Sequence, residues 1–147
     1  MSRTIGVDHG RKWFGIALSD ASGRLARPLE VVKGEAQVLD RLADLIAAEG
    51  VERIVLGLPR NMDGSLGPKA REVLKFVETL RERFPISVET WDERLTTVEA
   101  ERYLREAGVP RRRWAERVNQ VAAQILLQSY LDAHRPGNSD RPGEKTE

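Results

Sequence analysis

A chain of 147 residues, 40% of them hydrophobic, is sized for one domain around one core. It has no cysteine, which excludes disulfides, thiolate metal sites and cysteine nucleophiles, and its two histidines, His9 and His134, lie too far apart for a zinc motif. A formal net charge of +1 makes no global case for nucleic acid, and no apolar run approaches the ~20 residues of a membrane span.

Three short strands are predicted first: Thr4 to Asp8, Trp13 to Ser19 and about Ala26 to Val32, joined by polar turns into an antiparallel meander. From Ala36 to Glu49 the residues Val38, Leu39, Leu42, Leu45 and Ile46 recur at helical spacing, with Gly50 as the stop. The run Arg53 to Pro59 reads as a strand buried on both faces, as a central parallel strand does. After a loop from Arg60 to Leu66, a helix is predicted from Pro68 to Phe84, with proline at its favoured first position. Ile86 to Asp92 is a fifth strand. Thr96 and Glu99 form a capping box for a helix ending near Gly108, and a last helix spans Arg113 to Ala133. The order βββαβαβαα describes an α/β domain with a mixed five-stranded sheet over residues 1–133. The tail His134 to Glu147, with two Pro-Gly pairs and many charges, is expected to be disordered. With strand-like sequence directly after Met1, a cytosolic protein without membrane partners is expected.

Ligands of such sheets usually bind beyond the carboxyl ends of the strands. Asp8 ends the first strand; Asp92 and Glu93 end the fifth. Carboxylates gathered on one rim repel one another unless a cation lies between them, and with no sulfur available the fitting cations are hard ones, Mg²⁺ or Mn²⁺. Other readings stand beside this one: Asp8-His9-Gly10 also reads as a hairpin corner, and Asp92 and Glu93 as helix-capping acids. Such a metal site suits phosphodiester hydrolysis. Neither a P-loop nor a G-x-S-x-G elbow is present, so Walker-type hydrolysis and serine chemistry have no support.

Basic residues cluster locally. Arg11 and Lys12 follow Asp8, Arg94 follows the acid pair, and Arg111, Arg112, Arg113 and Arg117 bunch around the start of the last helix. All seven are candidate phosphate contacts, although such runs are also ordinary solvated surface. His9 reads as a turn histidine or a phosphate contact, and the loop Asn61 to Ser65 as a substrate-facing loop or a plain turn. Trp13, Trp91 and Trp114 are base-stacking candidates or core residues, with core the simpler reading for Trp91.

Taken together, Gly6-x-Asp8-x-Gly10, Gly15-x-Ala17-x-Ser19-Asp20, Gly57-Leu58-Pro59 with Asp63-Gly64, Asp92-Glu93-Arg94-Leu95-Thr96-Thr97, and Ala122-Ala123 with Leu127-Gln128-x-Tyr130-Leu131 resemble the YqgF, or RuvX, family. The motifs run in order over nearly the whole folded chain. The resemblance implies an RNase H-like fold similar to RuvC-type Holliday junction resolvases. It also implies a metal-dependent nuclease of ribosome biogenesis, acting in 5′-end maturation of pre-16S rRNA with precursor rRNA, and the ribosome, as partners. Carried over by position, the catalytic residues are Asp8, Glu93 and Asn119, and the same three with Asp92 are the metal ligands. Asn119 stands where the family has an aspartate, so this chain offers a neutral carboxamide in place of one charge. Alternatives are a junction resolvase on branched DNA, which requires a homodimer rather than a monomer, and a non-catalytic RNA or ribosome-assembly binding factor, for which Asn119 is the motive.

Overall fold

The computed structural model describes residues 3–93 and 96–134, with the side chains of 96–98, 115, 116, 119 and 120 outside that description. Strands β1 (Arg3–His9), β2 (Trp13–Ser19) and β3 (Ala26–Lys33) form the antiparallel meander. Then come α1 (Glu35–Glu49), β4 (Val51–Leu58), α2 (Pro68–Arg83), β5 (Ser87–Asp92), α3 (Thr96–Glu106) and α4 (Trp114–Ala133). The order is the one read from the sequence. β4 starts earlier than expected because Val51, buried, already pairs with Arg3. The last helix begins at Trp114, one residue later than expected, and a 3-10 turn, Arg111–Arg113, leads into it, closed by the Arg113 N–H donating to Pro110 O at 2.9 Å. Residues 135–147 of the expected tail lie outside the described residues, as does the Thr96 side chain of the expected capping box.

The five strands lie in the order β3-β2-β1-β4-β5, with β4 parallel to both β1 and β5. The carboxyl ends of β1, β4 and β5 therefore share one edge. Alternation along β1 sends Ile5 and Val7 to one face, where they pack with Ile54, Leu56 and the apolar sides of α1 and α2. Gly6 and Asp8 point to the other face, where Ala17 and Val55 meet Ala123, Leu127 and Tyr130 of α4. At Gly6 the two elements nearly touch. A Cβ there would sit 2.8 Å from Leu127 Cβ and 3.2 Å from the Ala123 carbonyl oxygen, so only glycine allows this approach. α3 packs on α4 instead of the sheet, through Ala100, Leu104, Trp114, Val121 and Ala122.

The middle of α4 covers Gly6, and near its end Tyr130 donates to Glu89 on β5 (3.0 Å). No described helix is long and apolar enough to cross a membrane.

Candidate active site

Asp8 is the penultimate residue of β1, and Glu93 follows the last residue of β5, its N–H donating to Leu58 O at 3.3 Å. β4 lies between them, so their backbones are roughly 10 Å apart, two strand spacings. Gly57 closes that gap. A Cβ on Gly57 would overlap the Glu93 carboxylate, with Glu93 Cδ at 2.8 Å, which means that the longer acid lies across the glycine toward Asp8. A glycine inside a strand, a short acid on one side and a long acid on the other are the local reasons the carboxylates converge.

Their electrostatics are those of an uncompensated pair. Burial raises Asp8 from 3.8 to about 6 against the opposing pull of Lys69. Glu93 rises from 4.5 to about 8, first through burial and then through repulsion from Asp8, with Lys69 again opposing. Both shifts mean that the site stabilises negative charge poorly and would gain from a cation. Lys69, in the first turn of α2, partly fills that role. It is held down by burial, while the charges of Glu72, Asp8 and Glu93 favour its ammonium. Its Nζ lies 2.8 Å from His9 Nδ1 and 3.8 Å from Glu72 Oε1. An ammonium can only donate, so His9 accepts at Nδ1 and carries its proton on Nε2. Burial and Lys69 both lower the His9 pKa, and the ring packs edge-on against Phe14 (4.7 Å) and Phe76 (5.3 Å). His9 is thus a neutral wall of the site.

The other sequence candidates separate. Asp92 is exposed and lies 3.9 Å from Arg60 Nε; alternation along β5 turns it from the face that carries Glu89 and Trp91. Among the described residues no group of three or more His, Asp or Glu is arranged to hold a metal, so the acid site there consists of Asp8 and Glu93. The Asn119 side chain lies outside the description.

Arg11 and Lys12 are exposed on the β1–β2 turn, and Arg94 lies outside the described residues. Arg112, Arg113 and Arg117 are exposed at the start of α4, while the Arg111 guanidinium stacks 4.9 Å over the Trp114 ring. Trp114 and Trp91 are packed, their indole N–H groups donating to Val109 O (2.9 Å) and Ser129 Oγ (3.0 Å); Trp13 is 45% exposed. The Asn61–Ser65 loop closes on itself through Asp63, which accepts from the Ser65 N–H (2.9 Å) and hydroxyl (2.6 Å), leaving Met62 exposed at its tip. Asp20, in another of the motifs, accepts the Arg24 N–H (3.0 Å) and builds a turn. Sequence reasoning missed Lys69. Its signal was a cation in a helix's first turn, the end where the helix dipole disfavours one, which called for nearby acids.

The profile of the RuvX family, described as Holliday junction resolvase, matches residues 2–133. A Myxococcus xanthus protein named "Putative pre-16S rRNA nuclease" is 47% identical over 140 residues, 94% of this chain and 93% of its own. A protein of the same name from Desulforamulus reducens is 41% identical over 133 residues, 89% of this chain and 97% of its own. Among solved structures, Thermus thermophilus RuvC in complex with a Holliday junction superposes with a TM-score of 0.55 at 17% identity, covering 89% of this chain and 94% of that one. The fowlpox virus Holliday junction resolvase superposes at 0.50 and 11% identity, covering 88% and 96%. The strand order, the α4-covered face and this likeness are those of the RuvC-like RNase H fold, and the chain belongs to the RuvX (YqgF) family of nucleases.

Proposed function

We propose that this chain is a cytoplasmic, divalent-metal-dependent nuclease that cleaves precursor 16S rRNA in 5′-end maturation, with Asp8 and Glu93 as its metal ligands. One observation carries the reading: two carboxylates from β1 and β5, both pushed up by burial, meet across Gly57 at the carboxyl edge of a parallel sheet. Oxygen donors, an uncompensated pair of charges and a strand glycine that makes room for the second acid fit a hard cation. Mg²⁺ or Mn²⁺ bound there supplies water activation and charge neutralisation at the phosphodiester. Asp8, on the central strand, gives the site its rigid side. Glu93 reaches in from β5 and, in the deprotonated form that a cation favours, completes the ligand pair. The family resemblance nominates Asn119 as a neutral oxygen donor, and one charge fewer than an aspartate would bring weakens cation binding. Lys69, oriented by His9, is a fixed cation that meets the scissile phosphate while its charge relieves the two acids. Arg11, Lys12, Arg94 and the arginines 111–113 and 117 hold flanking phosphates.

The family description, Holliday junction resolvase, favours a second reading in which two copies act on symmetric strands of branched DNA. One experiment separates the two. A labelled precursor 16S 5′ fragment and a four-way DNA junction are incubated with Mg²⁺ or Mn²⁺ and either wild type or Asp8→Asn. Preferential RNA cutting that vanishes in the variant is expected; junction cutting alone would transfer the assignment to DNA. Metal-independent RNA binding with no cutting of either would make the protein a binding factor and Asn119 the reason.

A further inference from the structure

On the face of the sheet opposite the acids, a cleft of about 550 Å³ opens between the β1–β2 turn, the end of β3 and α2. Arg11 and Lys12 enter it from the turn, Lys33 from the last residue of β3, and Lys75 from the second turn of α2. Four cations thus converge from three parts of the chain. None of the ion pairs among the described residues uses any of them. The acids on the wall are Glu35, which is exposed, and Glu72, which lies 3.8 Å from Lys69, so the cleft keeps an excess of positive charge. Like charges gathered without counterions repel, and the arrangement is relieved by an anion in the cleft, the mirror image of what the acid pair asks for.

Two further features suit a nucleic-acid strand. Gly34, which begins α1 without any side-chain cap, lines the cleft, so the first turn of a 15-residue helix adds backbone N–H groups and the positive end of its dipole. Beside it Trp13 is half-exposed, with Lys33 Nζ 5.8 Å from its ring centroid, a platform on which an unpaired base can stack. The cleft also adjoins the acids. His9, the residue after Asp8, is part of its wall, and Lys69 contacts that same histidine.

We infer that this cleft is a subsite for the backbone phosphate of a single nucleic-acid strand, the same strand whose neighbouring phosphodiester meets Asp8 and Glu93, with Trp13 stacking a base. The subsite rests on the nuclease reading but adds Lys33, Lys75 and Trp13 to it. Both lysines are exposed, so their removal tests charge without disturbing the core.

The test is fluorescence anisotropy of a short labelled single-stranded RNA without divalent metal, over a salt series. It compares wild type, Lys33→Gln/Lys75→Gln, and a control pair, Arg24→Gln/Arg27→Gln, at the opposite end of the same strands. The lysine pair should bind about 10-fold more weakly, and its salt slope should fall by roughly 1.4, about 0.7 for each phosphate that a lysine no longer neutralises. The control pair should match wild type, and Trp13→Ala should weaken binding a further few-fold with no change in slope. Equal losses in the lysine and control pairs would overturn the subsite while leaving the nuclease reading intact. Failure of the wild type to bind any strand would overturn that reading. If the lysine pair binds RNA normally but loses inorganic phosphate, followed by ³¹P line broadening, the cleft holds free anions and the strand assignment is wrong.

Discussion

Glu89, inside β5, and Glu93, just past its end, lie four residues apart on the face that α4 covers, and their fates are opposite. Glu89 accepts from the Tyr130 hydroxyl at 3.0 Å and the Ser87 hydroxyl at 3.2 Å, and lies 2.8 Å from Arg53 Nε. Its charge is matched by partners from β4 and α4, and it joins the helix to the sheet. Tyr130 records that burial: the buried phenol, donating to a carboxylate, is raised to about 12. Glu93 lies among the charges of Asp8, Lys69 and Asp92, and burial with the two acids' repulsion raises its carboxyl to about 8. The same residue type on the same strand is structural where its charge is answered and a candidate ligand where it is not.

The sharpest way to break this contrast is to neutralise each acid. Glu93→Gln should lower metal-dependent cleavage on the order of 10³-fold, since each ~1.4 kcal/mol of lost transition-state stabilisation is a factor of ten. Its Tm should hold or rise, because a poorly solvated charge has gone. Single-turnover rates and a thermal melt measure both effects.

Gly57→Ala comes next. The new Cβ overlaps the Glu93 carboxylate and must turn it away from Asp8, so cleavage should fall about 100-fold with all charges still present, a positioning effect. Activity equal to wild type would mean that Glu93 need not lie across the glycine.

Stability against pH gives a third contrast. Both carboxyls have folded pKa values above their ordinary ones, about 6 for Asp8 and about 8 for Glu93, so the protonated forms favour the fold. Their contribution is complete below about pH 4 and drains away as the pH rises through 6 to 8. Between pH 6 and 8, where Glu93 is the group still losing its proton, the metal-free protein should lose on the order of 3 kcal/mol. Mn²⁺ should restore it, and Glu93→Gln should flatten the upper half of the curve. A metal-free Tm that rises toward pH 8 would reverse the sign and contradict the account.

The smallest effect belongs to Glu89→Gln. It weakens a half-exposed ion pair and a hydrogen bond, so it should cost about 1–2 kcal/mol, a fall in Tm of roughly 2–8 °C, and leave cleavage unchanged.

Most of the fold was legible because its signals are local. β4 is continuously apolar from Ile54 to Leu58, as a doubly covered strand must be, and Pro68 and Gly50 mark helix ends. Asp8 and Glu93 were legible as acids at strand ends, within motifs that resemble a family. That Asp92 would turn toward Arg60 while Glu93 crosses a neighbouring strand depends on Gly57, and a glycine in an apolar run hinted at close approach without saying what approaches. Lys69 was hidden because helix periodicity ranks a polar first-turn residue as surface. The basic cleft was hidden more deeply, since Lys12, Lys33 and Lys75 meet only when β3, α2 and the β1–β2 turn are brought together. Arg53 and Glu89 likewise pair only in the register of β4 beside β5.

The most direct test is calorimetric titration of Mn²⁺ into the wild type, Glu93→Gln and Glu89→Gln at pH 7.5. The account predicts one binding event in the wild type, retained in Glu89→Gln and lost or weakened at least 10-fold in Glu93→Gln. Equal affinity in all three, or loss in Glu89→Gln alone, would show that the acids meeting across Gly57 are not the metal site.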